Sequence, residues 1–368
     1  MGRLLTPGTR GISHVSHSSF SLLPISRRAC IMSAIRVSTL ALYALTLFMG
    51  ASEAATIAWN EETYLEIPNS TIPADCGTQL YYPRMVKCPN GNLLLFAQSG
   101  NGINGGCILS CRSADGGWSF GPWTVVKRWG SRQWFEQTFN AQYANANPLV
   151  VGNEVLLCYQ VRAAQDYDDT RCGIEVIRSS DSCATWSAPV VAIRARIWEP
   201  RMVNLGGGIL RCYYTRYDDI NFVQSPNSGY GWQGWNTSKA SVRMPSPVLL
   251  QNGELAVAGE SGSAAQGPLV YGSHSLKLAN TLFDGYGPQM LQMPHGETLL
   301  AANGVYRGNQ GVWMFIGNPN ADNFASAHRP FLDTSGVWPD ICLNGATIVI
   351  CSAGNANGIR LIHGRISY

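Results

Sequence analysis

One unit recurs six times along this chain of 368 residues, and that repetition limits the fold more than any single motif. Each copy has a polar or aromatic residue, a proline, an apolar run, a glycine-bearing turn and a second apolar run. The copies open at Tyr82, Asn147, Glu199, Ser246, Gly287 and Trp338, as in EPRMVNLGGGILRCYYT and SPVLLQNGELAVAGE. Aligned on Pro83, Pro148, Pro200, Pro247, Pro288 and Pro339, they are spaced 65, 52, 47, 41 and 51 residues apart. That period suits one four-stranded propeller blade each. Turn glycines at 91, 152, 208, 253, 296 and 345 make every copy a tight hairpin. Proline at the head of its first strand is tolerated because that position need not donate to the ladder. With 39 Gly, 19 Pro and 11 Trp but only 13% charged residues, composition agrees with an all-β chain.

A second signature follows the third strand of the first three copies. It reads Ser113-x-Asp115-x-Gly117-x-Ser119-Phe120, Ser179-x-Asp181-x-Cys183-x-Thr185-Trp186 and Ser225-x-Asn227-x-Gly229-x-Gly231-Trp232. This is an Asp-box, whose side chains bond backbone N–H groups within a turn while its aromatic packs under the blade. It is a folding device, placed opposite any active face. The last copy runs out after three strands, and residues 55–67 are expected to supply the fourth and close the ring. The expected fold is a six-bladed β-propeller over residues 55–368.

Alternating strand direction sorts the repeats by face. Residues just before each proline, and those ending each second strand, share one face: Gln98, Gln160, Thr215, Glu260, Asn303 and Ser352 form the latter set. Each set holds one carboxylate, Glu199 in the third copy and Glu260 in the fourth. Two carboxylates converging on a central depression fit the acid/base and nucleophile of a glycosidase. The bland alternatives are two solvated glutamates or a structural ion pair with Arg201. Tyr81, Trp198, Tyr214, Tyr286 and Trp338 on the same face could stack on sugar rings.

Residues 32–54 combine a basic start, an apolar run over 40–49 and a small-residue end at Ser52 and Ala54, the pattern of a secretory signal peptide; residues 1–31 read as an upstream extension. Taking the five arginines and one glutamate of residues 1–54 from totals of 26 basic and 23 acidic residues leaves 21 and 22. Such a balance gives no electrostatic reason to bind nucleic acid or an anionic membrane. Ten cysteines follow residue 54, an even number that favours disulfides in an exported chain. No C-x-x-C pair marks a zinc site. Asn69 and Asn236 begin N-x-S/T sequons.

The Asp-boxes together with WEPRMVNLGGGILRCYYTRYDD (198–219) and SPVLLQNGELAVAGE (246–260) resemble the sialidase-like exo-α-L-arabinanases of glycoside hydrolase family 93. The resemblance implies a retaining mechanism without cofactor or metal, with Glu260 as nucleophile and Glu199 as acid/base. It also implies a tyrosine near the nucleophile, for which Tyr286 is the candidate. The expected substrate-binding set is Tyr82, Arg84, Asn147, Trp198, Arg201, Tyr214, Tyr286 and Trp338. The expected protein is a secreted monomer acting on an oligo- or polysaccharide. A true sialidase fits less well: it needs three arginines and a tyrosine nucleophile, and Tyr81 stands two residues before Pro83 where that family carries an arginine. A non-catalytic sugar-binding propeller has no use for two glutamates.

Overall fold

A computed structural model describes residues 55–100, 106–164, 168–261, 268–271, 276–278, 283–324, 326–354 and 358–367. The signal-like segment 32–54 and the extension 1–31 lie outside the described residues. Every sheet is antiparallel, and the sheets follow one another along the chain. Sheet 1 holds Gln79–Lys87, Leu93–Gly100, Ile108–Ser113 and Thr124–Lys127; sheet 2 holds Gly130–Trp134, Gln137–Val151, Glu154–Ala163, Cys172–Ser179 and Val190–Arg194. Sheet 3 holds Trp198–Gly206, Ile209–Arg216, Asp219–Ser225 and Gln233–Lys239; sheet 4 holds Val242–Leu249, Leu255–Ser261, Pro268–Tyr271 and Leu276–Leu278. Sheet 5 holds Phe283–Gln292, Thr298–Tyr306, Asn309–Gly317 and Ser326–His328. Sheet 6 holds Val337–Asn344, Thr347–Gly354 and Gly358–Ser367, and Thr56–Ile67 completes it, pairing Thr56 with Ser367 and Ile67 with Ile359. A strand from the start of the described chain thus covers an edge left by its end.

The arrangement is that of a β-propeller. It departs from six alike blades: five sheets have four strands, whereas sheet 2 takes a fifth, Gly130–Trp134. That extra strand is held by packing and charge. Trp134 is 2% exposed, and Arg132 forms an ion pair with buried Glu175 of the same sheet.

Alternation along the strands sends apolar side chains into the spaces between consecutive sheets. Leu94, Phe96 and Ile108 of sheet 1 meet Val155, Leu157 and Tyr159 of sheet 2. Leu156, Cys158 and Val176 of sheet 2 meet Met202, Leu210 and Cys212 of sheet 3. Leu93 and Leu95 meet Val349 and Leu361 across the closing seam between sheets 6 and 1. These side chains are at most 5% exposed, so truncating one such leucine costs about 2–5 kcal/mol.

The six turn glycines all sit at positive φ, from +60° at Gly152 to +111° at Gly296, which explains glycine there. The three post-strand turns share one bonding scheme. In the first, Ser113 Oγ accepts the Gly117 N–H at 2.7 Å, while Asp115 Oδ1 accepts the Ser119 N–H at 3.0 Å. Cys183 to Ser179 at 2.7 Å and Thr185 to Asp181 at 2.9 Å repeat it, as do Gly229 to Ser225 and Gly231 to Asn227, both at 2.8 Å.

The expected disulfides are not formed. All ten described cysteines are free thiols and buried, used as small apolar side chains between the sheets. Cys76 meets Cys107, Cys88 meets Cys183 and Cys158 meets Cys212 as thiols. Burial pushes the thiols of Cys76 and Cys342 up to about 12, far from the thiolate form.

Candidate active site

Each first strand carries a bulge where it approaches the axis, at Tyr81/Arg84, Ala144/Asn147, Trp198/Arg201, Arg243/Ser246, Tyr286/Gln289 and Val337/Asp340. One residue in each bulge is left-handed: Tyr82, Asn145, Glu199, Met244, Gly287 and Trp338, with φ between +48° and +63°. Five of the six are not glycine, so backbone strain recurs at this one position of the first strands. The register also corrects the proline alignment. Asn145 and Met244 are the equivalents of Glu199, so Ala146 and Pro245, rather than Pro148 and Pro247, match Pro200. A slip of two residues preserves the face, which is why the sequence pattern survives it.

The residues ending the second strands tie each sheet to the next. Gln98 Oε1 accepts the Asn145 N–H at 3.1 Å, Thr215 Oγ1 the Met244 N–H at 2.9 Å, and Asn303 Oδ1 the Trp338 N–H at 3.2 Å. Gln160 donates its amide to the Ile197 carbonyl. Glu260 occupies the same position, its Oε2 accepting the Gly287 N–H at 3.4 Å. Ser352 does not belong to the set: Ala353 lies opposite Val337, and Ser352 bonds within its own sheet.

Glu260 nevertheless differs from its equivalents. Gln98, Gln160 and Asn303 are fully buried, whereas Glu260 is half-buried. Its Oε1 accepts Arg243 Nη2 at 2.9 Å. Burial raises its carboxyl above the ordinary range, and the Arg243 guanidinium opposes that shift. Glu199 has its carboxyl enclosed, and Thr215 Oγ1 donates to its Oε2 at 2.9 Å. Burial, reinforced by the charge of Glu260, lifts Glu199 to about 7 against the bond from Thr215. The charge of Glu260 thus favours the proton on Glu199, while Glu260 itself faces a cation.

Tyr82 stands beside both. Burial raises its phenol, and the charges of Glu199 and Glu260 raise it further. Its ring stacks on Trp338 at 4.2 Å, and Tyr81 meets Trp338 edge-on at 5.8 Å. Trp198 is half-buried, with the Arg162 guanidinium 4.9 Å from its ring centroid. Tyr286, 42% exposed, precedes the glycine that bonds Glu260. These residues gather with the glutamates.

Three of the expected binding residues do not. Arg84 is not among them: buried and bonded to the Pro83 carbonyl at 2.6 Å, its guanidinium lies 6.0 Å from the Tyr82 ring centroid, and its charge lowers Glu199. Asn147 is buried, its Oδ1 accepting the Met202 N–H at 3.1 Å. Arg201 is buried against Asp340 at 3.5 Å, so its ion pair is with a carboxylate of sheet 6 and with neither glutamate. Tyr214 is 0% exposed in the core between sheets 2 and 3 and cannot stack on a sugar. Asn147 and Arg201 line one cavity with Asp340 and hold sheets together. Two further arginines stand at the site, Arg243 against Glu260 and Arg162 against the Trp198 ring, and neither is marked by the repeat. Arg243 is the direct cross-strand partner of Glu260, a relation hidden by the slipped proline alignment. Arg162 lies two residues past Gln160 on the same strand, which places it on the same face.

No family model and no curated relative matches this chain. Solved structures share its fold at low identity. An α-L-arabinanase from Penicillium chrysogenum complexed with arabinobiose aligns with TM-score 0.61 and 17% identity over 84% of this chain and 98% of its own. The GH93 α-L-arabinofuranosidase of Fusarium graminearum aligns with TM-score 0.59 and 15% identity over 82% and 97%. A leech intramolecular trans-sialidase aligns with TM-score 0.61 and 9% identity over 87% and 71%. The fold is sialidase-like and resembles that of GH93 proteins.

Proposed function

We propose that this protein is a retaining exo-glycosidase of plant cell-wall polysaccharide, an exo-α-L-arabinanase releasing arabinose or arabinobiose. The observation that carries the reading is the unlike pair of carboxyls, Glu199 lifted to about 7 beside Glu260 held by Arg243. Glu199 donates its proton to the leaving oxygen while ionised Glu260 attacks the anomeric carbon. Glu199 then removes a proton from the water that releases the sugar from Glu260. Tyr82, Trp198, Tyr286 and Trp338 stack on or border the sugar. The arabinan specificity is supported by the two GH93-type structural neighbours, and by Glu199 and Glu260 occupying the resembling segments.

The architecture belongs to the same proposal. Six sheets, with an apolar cluster between each consecutive pair including the closing one, support a six-bladed propeller. The shared bonding scheme of the three turns supports Asp-boxes. Export by the segment 32–54 and action as a monomer complete the reading. Its test is purified protein offered linear arabinan, debranched arabinan, aryl glycosides and sialyl conjugates. Release of arabinose or arabinobiose from linear arabinan is expected; release of sialic acid alone would overturn the reading in favour of a sialidase.

A further inference from the structure

A second groove, of about 570 Å³, opens between sheet 6 and the first Asp-box turn. It lies at the ends of the strands opposite to those carrying Glu199 and Glu260, beside the Asn344–Thr347 hairpin turn and the 113–119 turn. Its lining includes Trp59, Asn60, Trp118, Asn344, His363 and Arg365.

Trp118 is the unusual residue. The aromatic required by the turn is Phe120, which packs against the core between sheets 6 and 1 as Trp186 and Trp232 pack in theirs. Trp118 is additional, and it is 56% exposed. One face of its ring is stacked on the His363 imidazole, at 5.3 Å and 19° between planes. His363 is itself 4% exposed, and its Nε2 lies 3.1 Å from the Gly116 carbonyl, which fixes the N–H there. The stack leaves the other face of the Trp118 indole to the groove, held in place by a buried ring.

We propose that this groove binds one sugar ring of a glycan chain, apart from the site of cleavage. A sugar's apolar face covers an exposed indole, and its hydroxyls donate and accept at once. The Asn60 and Asn344 amides and the Arg365 guanidinium ring the groove with further polar groups. The shared chemistry is that of a neutral sugar or a uronate, and Arg365 favours the latter if the ring is charged. Such a contact would hold the protein on an extended polymer while its opposite face works on chain ends.

Affinity electrophoresis of the Glu199→Gln protein through gels containing linear arabinan, arabinoxylan or polygalacturonate tests this. Retardation is expected in at least one gel, and its identity separates neutral sugar from uronate. Trp118→Ala should weaken that retardation about tenfold, while Trp118→Phe, which keeps an aromatic face, should retain most of it. Unchanged circular dichroism will show that the exposed ring is not needed for folding. No retardation in any gel, or equal retardation of Trp118→Ala, would overturn the proposal. The readout is binding, so a hydrolytically inactive parent protein would sink the active-site reading and leave this one standing.

Discussion

Arg243 and Glu260 face each other on one rung of the first ladder of sheet 4, and the guanidinium Nη2 lies 2.9 Å from the carboxylate Oε1. The pair gives Glu260 an electrostatic reason to remain ionised in a site whose burial opposes ionisation. Glu199 accepts no hydrogen bond from a cation among the described residues; Arg243 and Arg84 act on it through their charge alone. Its nearest donor is the neutral hydroxyl of Thr215, and the charge of Glu260 favours its proton.

Replacing Arg243 by Gln therefore tests the division of labour. Loss of the cation should raise the Glu260 carboxyl and move the acid limb of the kcat/KM profile to higher pH. Arg243 also lowers Glu199 by its charge, so the alkaline limb should rise as well, by less than the acid limb because no hydrogen bond joins the two groups. A profile that merely scales down, with both limbs in place, would show that Arg243 does not tune the nucleophile.

Thr215→Val probes the other carboxyl. The hydroxyl stabilises ionised Glu199, so its loss should raise that carboxyl further and carry the alkaline limb upward. The same hydroxyl accepts the Met244 N–H, so stability should fall by about 1–3 kcal/mol when that buried donor is orphaned. A urea titration and a pH–rate profile read the two effects separately.

The raised carboxyl of Glu199 also predicts a pH dependence of stability. Its folded value is about 7 against an ordinary 4.5, so between these the folded chain binds more protons than the unfolded one. This contribution to stability is present in full below about pH 4.5 and is lost as pH rises through about 7. Glu199→Gln lacks the linkage and should gain in stability on the parent between pH 5 and 8. An equal difference at the two pH values would contradict it.

The buried thiols give a simple count. Residues 55–368 unfolded without reductant should release ten titratable thiols, and the folded protein should expose almost none. A markedly lower count after unfolding would show that the contacts at Cys76–Cys107, Cys88–Cys183 or Cys158–Cys212 are closed as disulfides.

The repeat was readable because propeller strands alternate and their turns need glycine, so Gly91 and its five equivalents mark each hairpin. The fifth strand of sheet 2 was not, because Gly130–Trp134 has no counterpart in the other copies. Glu199 and Glu260 stood out as the two acids in equivalent positions. What strand periodicity could not reveal was depth along the axis: Asn147 and Arg201 share the pattern of site residues yet tie sheets together around a separate cavity. Tyr214 was misread in the same way, since alternation assigns its side chain to a space between sheets 2 and 3. Arg243 required the true register, which Pro247 obscured by standing two residues beyond the equivalent Pro245. An even cysteine count was no guide to pairing, since between sheets a thiol packs as a small apolar group.

The central claim is that Glu199 and Glu260 act together on one glycosidic bond. Steady-state hydrolysis of linear arabinan by Glu260→Gln, compared with the parent protein at equal folded concentration, tests it most directly. The account predicts a fall in kcat of at least about a thousandfold, with circular dichroism unchanged. Turnover within a few-fold of the parent would contradict it and leave Glu260 as one more tie between consecutive sheets.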